Sequence, residues 1–285
     1  MAQLKVRHRI LSIKGHKWDL SKRPLLMGVL NVTPDSFSDG GRFFDIRSAC
    51  RRAAQIENQG ADILDIGGES SRPGALSIGV DEELSRILPV IRRIRGKIRI
   101  PISVDTNKPE VAEQCLKDGA SLINDITGLR GNGKMAQVCS RYESGIIIMH
   151  MKGSPRTMQK KPAYDDLIDD ISAYLKRSVC FALRAGIRED SIILDPGIGF
   201  GKTVWHNLSI INSLRCFKKI GYPIAVGISR KSFLGNITGF DVCQRAIPNA
   251  AANAIAAYQG ADIIRAHDIK ESAAVLKIAY AIRKS

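Results

Sequence analysis

A (β/α)8 barrel is the architecture that the sequence predicts, on three observations. Short runs rich in Ile, Val and Leu recur eight times, each stopped by polar or Gly-containing punctuation. Helical patterns separate them. At 285 residues the chain has the length for eight strand–helix units closed on themselves. Runs of this size, apolar on both faces, are what buried parallel strands look like. An open doubly wound sheet is the rival arrangement, and the count of eight favours closure.

Residues 1–20 read as a small hairpin that turns near Lys14-Gly15 and covers one barrel end, with residues 21–285 forming the barrel itself. The strands follow as LLMGVLNV (25–32), ADILDIGG (61–68), IPISVDT (100–106), SLINDI (121–126), GIIIMHM (145–151), SIILDPG (191–197), PIAVGIS (223–229) and ADIIRAH (261–267). After the second strand, Asp81-Glu82-Glu83 opens a helix with acids at its positive end. After the third, Lys108-Pro109-Glu110 places proline in a first turn. In the last helix Val275, Ile278, Ala279 and Ile282 fall at i, i+3, i+4 and i+7, which predicts its buried face. Gly60-Ala61-Asp62, Gly119-Ala120-Ser121 and Gly260-Ala261-Asp262 each end a helix and open a strand, glycine supplying the positive φ of a helix C-terminus.

Composition is that of an ordinary globular chain, 44% hydrophobic and 25% charged. A fold of this size buries about 75% of the surface its unfolded chain exposes, so no disulfide scaffold is needed. No run of 18 apolar residues occurs, and the start MAQLKVRHRI lacks the apolar core and cleavage site of a signal peptide. The six cysteines are scattered with no CxxC pair, and buried free thiols in a reducing cytoplasm are the simplest expectation. A net charge of +15 suits nucleic acid, an anionic membrane or an anionic substrate. The Lys and Arg residues are spread along the chain, and the densest stretch, Arg86 to Arg99, falls on a helix whose solvated face accounts for it. Neither a nucleic-acid nor a membrane partner is expected.

In such barrels the chemistry lies at the C-terminal ends of the strands. Those ends read Asn31, Glu69-Ser70-Ser71-Arg72, Asp105, Asn124, His150, Asp195, Ser229-Arg230-Lys231, and Arg265 with His267. Any single member could cap the next helix. As a set, Asp105, Asn124 and Asp195 close the third, fourth and sixth strands and converge on the mouth. Carboxylates accept from ring N–H and amine groups, and an Asn amide both donates and accepts, so the trio can grip a flat heterocycle edge. Beside it Arg230, Lys231, Arg265 and His267 suit a phosphate group. The set points to a planar, amine-bearing ring joined to phosphate. Two other motifs fail: Gly197-Ile198-Gly199-Phe200-Gly201-Lys202-Thr203 has Pro196 where a Walker A loop needs glycine, and its third glycine comes one residue early for a dinucleotide fingerprint. A flexible turn that lets backbone approach a ligand is the plainer reading.

Quoted together, these segments resemble one family. Asn31-Val32-Thr33-Pro34-Asp35-Ser36-Phe37-Ser38-Asp39-Gly40-Gly41 resembles the first signature of dihydropteroate synthases, and Asp65-Ile66-Gly67-Gly68-Glu69-Ser70-Ser71-Arg72-Pro73-Gly74 the second. Asn124-Asp125-Ile126, Met149-His150-Met151, Asp195-Pro196-Gly197 onward to Lys202, and Ser229-Arg230-Lys231-Ser232 follow in family order, the likeness running from about residue 24 to 270.

The resemblance implies a cytoplasmic folate-pathway transferase that joins 6-hydroxymethyl-7,8-dihydropterin diphosphate to 4-aminobenzoate and releases diphosphate. Asp105, Asp195, Lys231, Arg265 and His267 match its catalytic positions. The pterin diphosphate falls to these with Asn124, Ala266, Ser71 and Arg72, and the aminobenzoate pocket to Phe37, Ser71, Pro73, Phe200, Ser229 and Lys231. Asn31 matches a magnesium ligand. The family also implies a homodimer through helices on the outer wall, and substitution in which diphosphate leaves before the arylamine attacks. Ser71 stands where Thr is common, and Ala266 where a larger aliphatic is usual. A methyltetrahydrofolate-dependent methyltransferase shares the pterin grip but should lack the 31–41 loop and the Ser229-Arg230-Lys231 anion site; a pterin-binding paralogue without turnover would show damaged loop motifs.

Overall fold

The computed structural model describes residues 10–33, 45–70, 74–130 and 133–285. Strands β1 (Ile10–Ile13) and β2 (His16–Asp19) pair antiparallel, Leu11 opposite Trp18. Their turn residues Lys14 and Gly15 take φ of +35° and +85°, the left-handed geometry of a tight hairpin.

The barrel strands are β3 (Leu25–Asn31), β4 (Ile63–Gly67), β5 (Ile102–Asp105), β6 (Leu122–Asp125), β7 (Gly145–Met149), β8 (Ile192–Asp195), β9 (Ala225–Gly227) and β10 (Ile263–Ala266). All eight expected strands are present. Each of β3 to β7 pairs parallel with the next, and β10 joins β3 to β9. A parallel bridge from Leu194 to Ile224 spans the remaining seam, leaving the barrel nearly closed. Around it run α1 (Ile46–Asn58), α2 (Val80–Ile94), α3 (Pro109–Lys117), α4 (Lys134–Arg141), α5 (Leu167–Arg184), α6 (Val204–Asn212), α7 (Leu214–Lys218), α8 (Ser232–Thr238), α9 (Ala246–Tyr258) and α10 (Ile269–Lys284).

Alternation divides each strand between two environments. Outward residues such as Leu64, Ile66, Val104 and Ile148 pack under the helices in the main core. Inward residues at the bottom, among them Leu25, Ile63, Leu122, Ile193 and Ile263, form a separate cluster with Leu11 and Ile13 of the hairpin. The hairpin therefore plugs the barrel floor, and Lys14 Nζ fastens it to the Ala120 carbonyl at 3.1 Å.

The recurrent Gly-Ala-Asp segments have a further role beyond the glycine. Gly60, Gly119 and Gly260 do take positive φ, at +100°, +115° and +109°. Asp62 accepts from the backbone N–H of Leu26 at 2.9 Å and from Arg23 at 2.5 and 2.7 Å. Asp262 accepts from Ile224 N–H at 2.8 Å and from Lys218 at 2.5 Å. Each aspartate ties the foot of its strand to the strand beside it.

Two expectations are corrected. The buried stripe of α10 is Ile269, Ser272, Leu276 and Ala279, while Ile278 and Ile282 are 64% and 59% exposed. Small residues at Ser272 and Ala279 let the helix sit close to the barrel, and this turns the isoleucines outward. The cysteines are all free, but Cys180, Cys216 and Cys243 are exposed, off the buried stripes of their segments; Cys115 and Cys139 are buried, and burial pushes both thiols up to about 12. On α2 the basic residues make surface ion pairs, Arg86 with Glu82 and Arg92 with Asp118. Among the described residues no helix is long and apolar enough to cross a membrane.

Candidate active site

The pleat that sends Ile63, Leu122, Ile193 and Ile263 into the floor sends the residues two further along each strand into the mouth. Those residues are Asp65, Asn124, Asp195 and Arg265. Asp105 joins them from the end of β5, so the three residues that sequence placed at the mouth do share it with Arg265. Asp125, next to Asn124, turns the other way and accepts from Thr127 and Leu129 N–H of its own turn, both at 2.8 Å.

Arg265 is the centre of this layer. Its Nε donates to Asp65 Oδ2 at 2.6 Å and its Nη2 to Asp105 Oδ2 at 2.7 Å. Asp65 also accepts from Asn124 Nδ2 at 3.2 Å. Asp65 was missed from sequence as a site residue, although it lies in a quoted motif. It is fully buried, and its Oδ1 has no hydrogen-bond partner among the described residues. The signal available was an acid on the inward face of an otherwise apolar strand.

Burial pushes the Asp105 carboxyl up to about 7, against the pull of Arg265 and with the help of Asp65 and Glu83. Burial likewise raises Asp195 to about 6, opposed by the Gly197 N–H that donates to it at 2.6 Å. Lys231 is drawn down to about 8 by burial and by Arg265. Both carboxyls thus titrate near neutrality while the cations beside them stay charged.

On the β9–β10 side, Ser229 Oγ lies 3.0 Å from His267 Nδ1, and Asn31 Nδ2 lies 3.5 Å from His267 Nε2. Burial and Arg265 lower His267 to about 3, so the ring stands neutral here. A neutral ring can offer a hydrogen bond but carries no charge. Arg230 takes φ of +62°, held by Asn249 Oδ1 on its N–H at 3.0 Å, and its guanidinium turns to Asp268 at 3.0 Å. Left-handed backbone at a non-glycine residue costs on the order of 1–3 kcal/mol, and it sets the direction of the next residue, Lys231. Ala266 is buried in the core between sheet and helices, so its methyl does not line the mouth and only its backbone is at hand.

Toward β8, Lys231 Nζ stands 4.0 Å over the Phe200 ring. Phe200 packs with Ile126, Met149, Met151 and Met158 in a small apolar wall. The glycine turn was read as an approach to a ligand, but its close contacts are to the protein itself. A Cβ at Gly197 would meet the His150 carbonyl at 1.9 Å, one at Gly201 the Lys152 carbonyl at 2.4 Å, and one at Gly199 the Lys231 side chain at 2.9 Å. Behind β4, Glu83 of the acidic first turn of α2 is fully buried; Lys108 binds it at 2.6 Å and also holds Glu69. Phe37, Ser71, Arg72 and Pro73 lie outside the described residues.

A deep layer of carboxylates and an amide, beside an arginine, a lysine and an apolar wall, has the donors and acceptors to hold a polar ring and an anion. A family profile described as pterin binding enzyme matches residues 27–267. Dihydropteroate synthases from Bacillus subtilis (strain 168) and Escherichia coli (strain K12) are each 42% identical to this chain; the alignments cover 95% and 94% of it, and 92% and 94% of the relatives. The fold superposes with a TM-score of 0.91 on the Yersinia pestis dihydropteroate synthase solved with a sulfonamide drug, at 40% identity over 97% of this chain and 100% of that one. A Xanthomonas albilineans dihydropteroate synthase with 4-aminobenzoic acid matches at 0.90 and 37% identity, covering 98% and 99% of the two chains. The chain belongs to the pterin-binding enzyme family, on a (β/α)8 barrel. Within that family its place is among the dihydropteroate synthases, which are transferases of folate biosynthesis.

Proposed function

We propose that this barrel mouth joins 6-hydroxymethyl-7,8-dihydropterin diphosphate to 4-aminobenzoate, giving 7,8-dihydropteroate and diphosphate. The observation that carries the reading is the single inward layer of Asp105, Asn124, Asp195 and Arg265 beside Lys231 and Phe200. Asp105 and Asp195 accept from the ring's N–H and amine groups, Asn124 completes the edge, and Lys231 bonds the ring from the rim. Arg265 and His267 take the diphosphate, one as a charge and one as a donor, and the family motif assigns Arg72 to the same group. Phe200 and Ser229, with Phe37, Ser71 and Pro73, form the aminobenzoate pocket.

The bond from the pterin methylene carbon to the diphosphate oxygen breaks first, its electron pair leaving with diphosphate. The electron-rich ring shares the positive charge that remains, and the adjacent carboxylates stabilise it. The arylamine nitrogen then forms the new bond with its lone pair and releases a proton, so no strong base is required. Asn31 offers one hard oxygen at the rim, and among the described residues no three His, Cys, Asp or Glu side chains are grouped to hold a metal. That donor set fits a magnesium ion shared with a substrate's phosphates rather than caged by protein, where it would neutralise charge on the leaving group. The purified chain, given both substrates, labelled 4-aminobenzoate and magnesium, is expected to form labelled dihydropteroate and diphosphate one for one. No product would overturn the reading.

Ring binding should weaken in acid. The gripping form of Asp105 and Asp195 is the carboxylate, which is lost as pH falls through about 7 and about 6. Affinity for a pterin, measured by calorimetry, is expected to drop at least about tenfold between pH 8 and pH 5. Acid unfolding through these two groups does not explain such a loss. Their raised values mean that the folded chain takes up protons as pH falls from 7 toward 4, so their penalty on folding shrinks in that direction.

A homodimer and a cytoplasmic setting complete the proposal. Free cysteines suit a reducing compartment. The thirteen residues of α9 include no charged side chain. Its Ile247 is 79% exposed and Ile255 53%, and on α10, which packs against it, Ile278 and Ile282 also face outward. A second copy of this chain covers that face. Ile247→Asp combined with Ile278→Asp is expected to convert a dimer to a monomer in analytical ultracentrifugation; a wild-type monomer would dismiss the dimer.

A further inference from the structure

Lys202 is 2% exposed, and the chemistry proposed above gives it no task. Its Nζ donates to the Phe200 carbonyl at 3.0 Å, to the His150 carbonyl at 3.4 Å and to His150 Nδ1 at 3.1 Å. His150 is itself buried, and burial with the neighbouring Lys202 drives its imidazole down to about 2, so the ring is neutral and can accept. No ion pair among the described residues includes Lys202. Burial pushes the Lys202 amine down to about 7, against the pull of Asp195, so near neutrality it stands between ammonium and amine, and either form can donate to these acceptors; its position explains what it does.

The three acceptors belong to two loops, one after β7 and one after β8. These loops are pressed together. Gly197 and Gly201 sit against the carbonyls of His150 and Lys152 with no room for a side chain. Gln159 Nε2 donates to the Gly199 carbonyl at 2.7 Å and the Tyr164 hydroxyl to the Gly201 carbonyl at 2.8 Å. Lys202 is at the centre of this zipper, bonded to the residue on each side that leads into the mouth. Phe200, whose carbonyl it holds, is the ring beneath Lys231.

We infer that Lys202 is a positioning residue for the aminobenzoate wall: by clamping the His150 and Phe200 carbonyls it keeps the β7 and β8 loops in one register and the Phe200 ring under Lys231. The inference rests on the function proposed above for its kinetic consequence, and on geometry alone for the clamp. Lys202→Met fills the same volume without the donors. It is expected to raise the KM for 4-aminobenzoate about tenfold, the range for losing two or more buried hydrogen bonds, while the calorimetric Kd for the pterin diphosphate changes less than about threefold. Phe200→Leu should raise the same KM, and the double variant should be no worse than the poorer single one, because Lys202 acts through Phe200. Hydrogen exchange in Lys202→Met should show protection lost together at residues 150–164 and 196–202. Lys202→Gln, which keeps one amide donor, serves if the methionine variant does not fold, with the same effects expected. An unchanged aminobenzoate KM, additive effects in the double variant, or equal loss of pterin binding would overturn the inference. If the wild-type chain makes no dihydropteroate, the proposed function falls while hydrogen exchange still decides the clamp; unchanged protection in both loops rejects it.

Discussion

Asp65→Ala is expected to cost both activity and stability. The Asp65 carboxylate is buried with Arg265 Nε at 2.6 Å and Asn124 Nδ2 at 3.2 Å. Removing it leaves the arginine with Asp105 as its carboxylate partner and leaves a buried amide N–H unpaired. Breaking a buried pair in this way typically costs about 3–5 kcal/mol, and the remaining Asp105 bond places this case near the lower figure. Activity suffers separately, because Arg265 and Asn124 are then free to move, and misplacement by about 1 Å can cost roughly 100-fold. Urea unfolding and steady-state kinetics on the same preparation test both parts. Asp65→Asn keeps the shape and one accepting oxygen, so it should fall between wild type and alanine. Wild-type kcat in folded Asp65→Ala would remove Asp65 from the site.

Asp262→Ala should lower stability by a comparable amount with activity intact. Its carboxylate lies at the opposite end of the barrel, bonded to Lys218 Nζ at 2.5 Å and Ile224 N–H at 2.8 Å. The variant leaves a lysine and a backbone donor without their acceptor, about 3 kcal/mol or more. Features at the N-terminal face of a barrel serve the fold rather than the chemistry. The urea midpoint should fall at constant slope, while kcat per folded molecule is unchanged. A folded variant with reduced kcat would show that the two ends are coupled.

The barrel was legible because both of its signals are local. Strand runs and the glycines before them are set by burial and by backbone conformation, and all eight strands fall within their expected runs. Asp105, Asn124 and Asp195 were legible because strand ends in a barrel point at one mouth. Asp65 was not, because a carboxylate inside an apolar run gives no hint of which partners across the barrel satisfy it. The same limit hid the burial of Glu83, whose partner Lys108 comes from the next unit. On α10 the periodicity of Val275, Ile278, Ala279 and Ile282 is real, but a helix with two apolar stripes does not say which one meets its own barrel. The Gly197–Gly201 turn was legible as a close approach of backbone, but not that another loop is pressed against it, because close approach leaves the same glycine signature whatever the neighbour.

The hairpin stopper under the floor has a kinetic consequence. With Leu11 and Ile13 filling the lower cylinder, the floor is closed among the described residues, and under the proposed function substrates and product would share the mouth. On the proposed placement the ring lies deeper than its co-substrate, and arrival would then be sequential. The joined product would then leave ring-last, and a co-substrate lookalike lodged at the threshold would seal the deeper guest inside.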